Sequence, residues 1–195
     1  MALNEVATRS SVSYLTIAEG KLCMRSKEAR EGYTTRMTKT GKEVHERYFE
    51  SLDGIVTDVH AKDTEYGRKW VIELKDGSDT YVLQMNYDSS YAKYILNSLL
   101  NTTHYSLARP VNIKPYYFED KSSGKLRKGV TVSQDANKIP WKFGVGELPP
   151  MVQIVVKGEK IWDDTDQLAR LQAEVDAFRS ASFLSAHPAG ALDSF

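Results

Sequence analysis

Residues 114–129, KPYYFEDKSSGKLRKG, bring three successive aromatics, Tyr116, Tyr117 and Phe118, against Lys121, Lys125, Arg127 and Lys128 around a Ser-Ser-Gly turn. An aromatic face stacks on flat π-systems, and Lys and Arg hold anions, so this pattern suits a ligand that carries both. Side chains alternate across a strand. With Val111 and Ile113 as core positions, Lys114, Tyr116 and Phe118 share the opposite face and Tyr117 turns inward. The result is a ladder of one cation and two rings. Single-stranded nucleic acid fits such a ladder, because every base has a π-face worth roughly 1–3 kcal/mol on an aromatic platform. Cations alongside would neutralise phosphates and release condensed counterions.

Other residues extend the candidate surface. Tyr66, Arg68 and Lys69 fall at the tip of an earlier hairpin, while Arg36, Lys39 and Lys42 continue a basic track upstream. Trp70 shares parity with Ile72 and Leu74, which leaves it either core or ligand-facing. In the next strand Tyr81, Leu83 and Met85 read as buried and Gln84 as outward. A competing reading covers the rings with the N-terminal segment or with "KIPWKF" (138–143). The rings would then be packing, or the core of a protein–protein interface with a charged rim.

Composition narrows the function classes. The 195 residues suit one core, and 41% are apolar, with no run near the roughly 18 residues of a membrane span. The N-terminus has no secretory pattern, so a soluble, intracellular protein with no membrane partner is expected. Cys23 is the single cysteine and the four histidines are scattered, so neither a disulfide nor a metal site is expected. "TKTGKE" and "KSSGKL" do not make a phosphate loop. The "WDDTD" cluster (162–166) is explained as acids at a helix N-terminus. The chain is therefore read as non-enzymatic and free of cofactors. Net charge is zero, yet residues 159–195 hold three cations against seven anions, a net of −4, and the first 158 residues hold 23 against 19, a net of +4. A basic body with an acidic tail is the more informative description.

The elements that must position these residues follow from periodicity. Residues 54–61, 68–75 and 79–87 read as a three-stranded meander, 88–101 as a helix with Ala92, Ile95, Leu96, Leu99 and Leu100 on one stripe, and 109–120 with 126–135 as a second hairpin. The order β-β-β-α-β-β predicts a mostly β chain built on a five-stranded OB-fold barrel. Residues 1–50 are expected as a basic β-extension packed on the barrel, 51–158 as the barrel core, 159–184 as a C-terminal helix and 185–195 as a flexible tail. Residues 138–150, rich in Pro and Gly, should cross a surface or close the barrel mouth, and 151–158 could add one strand. The stripe Leu168, Leu171, Val175, Phe178 is either packing or a self-association face, packing being preferred.

The runs "GKLCMRSKE", "FESLDGIVTDVHAKDTEYGRKWVIELKDGSDTYVLQMNYDSSYAKYIL", "RPVNIKPYYFEDKSSGK" and "VTVSQDANKIPW" resemble the OB-fold single-stranded DNA-binding proteins of bacteriophages and related mobile elements, over about residues 14–150. That resemblance implies sequence-tolerant coating of single strands in replication, recombination and repair in the bacterial cytoplasm, with the aromatic and basic barrel face as the groove. Its members often end in an acidic tail with a terminal phenylalanine that recruits replication or recombination proteins. Asp193 and Phe195 in "ALDSF" are similar to that tail, with one acid in place of a cluster. The sequence does not distinguish DNA from RNA as the partner and leaves self-association open.

Overall fold

The structure, a computed structural model, describes residues 11–38 and 40–184, with residues 104 and 105 described by backbone alone. Lys39 of the basic track and the tail residues Asp193 and Phe195 lie outside the described residues.

Alternating apolar runs separated by short turns give most of the chain as strands. They are β1 (Val12–Ala18), β2 (Lys21–Ser26), β3 (Thr34–Met37), β4 (Glu43–Phe49), β5 (Leu52–Thr64), β6 (Gly67–Asp76) and β7 (Asp79–Asn86). Helices α1 (Ser90–Leu99) and α2 (His104–Leu107) lead into β8 (Val111–Asp120), β9 (Lys125–Gln134) and the short β10 (Asn137–Lys138). The hairpin β11 (Val152–Val156) and β12 (Glu159–Asp163) precedes α3 (Thr165–Arg179), which ends in a π-helical turn, Ser180–Leu184.

Ten strands form one sheet in the order β10-β9-β8-β5-β6-β7-β1-β2-β4-β3, and β11-β12 stand apart as a two-stranded ribbon. The chain is mostly β with a C-terminal helix, as expected, and its sheet is open and ten-stranded rather than clearly a five-stranded barrel. The segment read as an extension supplies four of its strands, and β1 takes the outer edge of β7 in parallel, with Val12 beside Thr80 and Leu15 beside Leu83. Within the sheet the order β8-β5-β6-β7 is that of a Greek key, the strand after the helix returning beside the first strand of the meander. A register irregularity between Val56 and Asp58 bends the long β5, so that its start pairs β8 and its remainder pairs β6. The sheet thereby curls until the turn after β1 reaches β8. Gly20, at φ 73°, lies so close that a Cβ there would fall 2.3 Å from the Tyr117 backbone nitrogen. Only glycine satisfies both that contact and that conformation.

One core fills the curl. Trp70, Ile72, Leu74 and Leu83 of the meander meet Ile95, Leu96 and Leu99 of α1 and Val111, Ile113 and Val132 of the second hairpin. Each such fully buried aliphatic contributes roughly 1.5–3 kcal/mol, so Ile95, Leu96 and Leu99 are enough to seat α1. Residues 138–150 cross α1: Asn97 exchanges side-chain hydrogen bonds with the Phe143 backbone, and Trp141 stacks on Tyr94 with centroids 5.4 Å apart. Helix α3 packs onto the core by burying Leu168, Leu171 and Val175. Arg179 clamps it to β5 with two 2.7 Å bonds to the Asp58 carboxylate. Those bonds hold Asp58 below the usual carboxylate range although its burial acts to raise it. Packing is thus the role of this stripe. Among the described residues no helix is long and apolar enough to cross a membrane.

Candidate nucleic-acid interface

The β8–β9 hairpin outruns the core beneath it. Its first residues, Val111, Ile113 and Pro115, are buried, whereas 116–119 and 121–128 are exposed. Antiparallel partners share a face, so the register assigns both sides of the hairpin. One face carries Lys114 beside Thr131, Tyr116 beside Gly129, Phe118 beside Arg127 and Asp120 beside Lys125. The expected ladder is there: Tyr116 is 38% exposed, Phe118 is 53% exposed, and their centroids are 5.8 Å apart with planes tilted by 41°. Gly129 explains the pose of Tyr116. Its bare backbone receives the ring, and a Cβ there would fall 2.4 Å from Tyr116 Oη.

The tip is closed by its own hydrogen bonds. Asp120 accepts bonds from the Ser122 hydroxyl at 2.6 Å and the Ser122 amide at 3.0 Å, and its carbonyl accepts the Gly124 amide at 2.7 Å. The Ser122 hydroxyl and amide are the main reason the Asp120 carboxyl is held down at about 2. Arg127 lies 3.4 Å from the same carboxylate, and its side chain is 57% exposed. Lys114, Lys121, Lys125 and Lys128 have no ion-pair partner among the described residues.

The opposite face of the hairpin pairs Tyr117 with Lys128. Tyr117 has the inward parity expected of it but is 45% exposed, because the hairpin has passed the end of the core there. Lys128 faces across a cleft of about 520 Å³ to Lys69, Gln84, Asn86, Tyr91 and Thr16. This cleft runs between the β6–β7–β1 flank and the hairpin. Lys69 donates to Asn86 Oδ1 within it. Burial raises the Tyr91 hydroxyl, so it stays a neutral donor in the wall. The cleft depends on β1, whose pairing joins residues about seventy apart in sequence; Tyr14 and Thr16 show strand alternation, the only signal that could have pointed to them.

The other expected residues do not join this surface. Trp70 is wholly buried, its indole N–H donates to the Tyr87 carbonyl at 2.9 Å and its ring stacks on Tyr87 at 4.9 Å. It is core, which removes it from the stacking residues. Arg68 also lies against Tyr87, 4.9 Å from the ring centroid, in a separate cleft against α3. Tyr66 is 81% exposed at the β5–β6 tip. Arg36 is engaged elsewhere: it donates to both carboxylate oxygens of Glu46, at 2.6 and 2.9 Å. Arg25 and the Tyr48 hydroxyl bind the same group at 2.8 and 2.7 Å, and Glu46 is only 1% exposed. The Arg36 bonds are the chief reason its pKa falls to about 2, ahead of the opposing effect of burial. Lys42 is exposed at the β3–β4 turn, on the last pair of strands at the far edge of the sheet from β9.

No family model matches the chain, no curated protein matches its sequence, and no solved structure matches its fold.

Proposed function

We propose that the protein binds single-stranded nucleic acid, DNA in the first instance, by stacking bases on Tyr116 and Phe118 and holding phosphates with Lys114, Lys125 and Arg127. The observation that carries this reading is the shared face: two exposed rings 5.8 Å apart, in register with solvent-facing cations on a hairpin that projects beyond its core. Rings that served packing alone would be covered. Lys128 and Lys69 offer a strand leaving the ladder a second set of phosphate contacts in the adjoining cleft. Aromatic stacking does not discriminate sequence strongly, so binding should be tolerant of sequence and steeply weakened by salt.

The Greek-key order around β5, the helix between the third strand of the meander and the returning hairpin, and the curl of the sheet support an OB-like arrangement, opened on one side by β1. On that reading the protein coats single strands exposed during replication, recombination or repair in a phage-infected bacterial cell, without catalysis. Fluorescence anisotropy of labelled oligo-dT and of a matched duplex, at low and moderate salt, tests the assignment. Salt-sensitive binding confined to the single strand supports it; equal binding to both, or binding indifferent to salt, refutes it. Without a preference for the single strand, the hairpin is instead the core of a protein interface, a reading its exposed rings with a charged rim also fit.

A further inference from the structure

Residues 151–163 form the least covered apolar structure among those described. The β11–β12 ribbon is hydrogen-bonded only to itself, with Val152 opposite Asp163, Ile154 opposite Ile161 and Val156 opposite Glu159. Both of its faces carry exposed apolar side chains: Val152, Val156 and Ile161 on one, Val155 (66% exposed) and Trp162 (63% exposed) on the other. An isolated two-stranded hairpin is marginal in water, and folded proteins normally blunt or cover exposed strand edges. The main sheet does so: one edge is the two-residue β10, the other is the four-residue β3, whose Arg36 is tied to Glu46. The ribbon has no such protection.

Its chemistry selects the partner. From Met151 to Val156 the β11 edge is uncharged, whereas β12 carries Glu159, Lys160 and Asp163. A nucleic acid finds no cation along β11, and the carboxylates of Glu159, Asp163 and Asp164 disfavour an anionic membrane surface. A second β11 finds a neutral, apolar edge like itself. The backbone fixes the register. Lys157 and Gly158, at φ 51° and 85°, form the two-residue turn that makes Val156 and Glu159 a hydrogen-bonded pair. Bonded pairs alternate along an antiparallel ladder, so Ile154 also bonds inward while the N–H and C=O of Gln153 and Val155 point away from β12. A two-fold axis through Ile154 then joins Gln153 of one chain to Val155 of the other, twice, and matches every outward donor to an acceptor. Val152 meets Val156 across the same axis, and Lys157 meets Met151, so no like charges oppose.

We propose that two copies of this chain associate through antiparallel pairing of β11 about Ile154, giving a continuous four-stranded ribbon. This is an isologous contact, in which residue 154 faces its own copy. The proposal is independent of what the β8–β9 hairpin binds.

That self-opposition gives a decisive test on the full chain. Sedimentation velocity should show a dimer for the wild type and monomers for Ile154→Lys and Ile154→Glu, since each variant sets two like charges face to face. An equal mixture of the two variants should sediment as a dimer again, a recovery that misfolded variants could not give. A wild type that stays monomeric across the concentration range, single variants that remain dimeric, or a mixture that stays monomeric would each overturn the proposal. Flotation of a monomeric wild type with phosphatidylcholine vesicles would reassign the ribbon to a bilayer.

Discussion

Two basic regions of this molecule differ in what their cations do. The β2–β3–β4 flank comes from the stretch Gly20–Tyr48, with eight cations to four anions, and reads as the natural continuation of a phosphate track. In the folded chain Arg25 and Arg36 converge on the buried Glu46, Lys21 pairs with Glu50 at 3.1 Å, and Arg47 lies over Phe49 at 5.0 Å. The β8–β9 hairpin has fewer cations, but its lysines have no ion-pair partner among the described residues and stand beside exposed rings. Charge count does not measure the charge available to a ligand. What decides is whether a carboxylate is buried within reach, and Glu46 consumes two guanidiniums on one flank.

The largest effect is expected on the hairpin. Tyr116→Ala with Phe118→Ala removes both platforms and should cost roughly 2–6 kcal/mol of single-strand binding, about 30-fold or more in Kd. Thermal stability should hardly move, because both rings are substantially exposed.

On the other flank, Glu46→Gln should lower stability by about 1–3 kcal/mol while leaving single-strand binding intact, read by chemical denaturation and anisotropy on the same preparation. The same carboxylate sets a pH dependence. Its pKa is lowered from 4.5 to about 2 in the fold, so its stabilisation is fully present above the ordinary value and is lost as pH falls through that window. Melting curves between those limits should fall less steeply for Glu46→Gln than for the wild type.

A smaller change sharpens the role of ring pose. Gly129→Ala keeps both rings but places a methyl where Tyr116 lies, so the ring must leave its seat. Binding should weaken by about 1 kcal/mol, the low end of one stacking platform. The smallest effects concern salt. Lys125→Gln and Arg127→Gln should each make the slope of log affinity against log salt shallower by about 0.7, whereas Arg36→Gln should leave it unchanged.

Much of the central fold is legible in the sequence because alternation reports faces directly. The strands expected at 68–75, 79–87 and 109–120 appear as Gly67–Asp76, Asp79–Asn86 and Val111–Asp120, and the helix expected at 88–101 appears as Ser90–Leu99. Parity also placed Lys114, Tyr116 and Phe118 on one face and Leu83 and Met85 in the core. It could not place Trp70, since an indole with an N–H to satisfy suits a groove as well as a core, and only the Tyr87 carbonyl decides. Alternation names a face but never a partner. The parallel pairing of β1 with β7 and the convergence of Arg25 and Arg36 on Glu46 were therefore invisible, the latter because a Glu flanked by His45 and Arg47 reads as solvated surface. The ribbon was half legible: residues 151–158 suggested one strand, and the polar "KGEK" turn hid its return.

The most direct test of the central claim compares three proteins on one labelled oligo-dT: the wild type, Tyr116→Ala/Phe118→Ala and Arg36→Gln, each titrated at low and moderate salt. The wild type and Arg36→Gln should bind alike with the same salt slope, and the double variant should lose most of its affinity. Full affinity in the double variant, or a loss in Arg36→Gln while it remains folded, would contradict the assignment of the β8–β9 face as the binding surface.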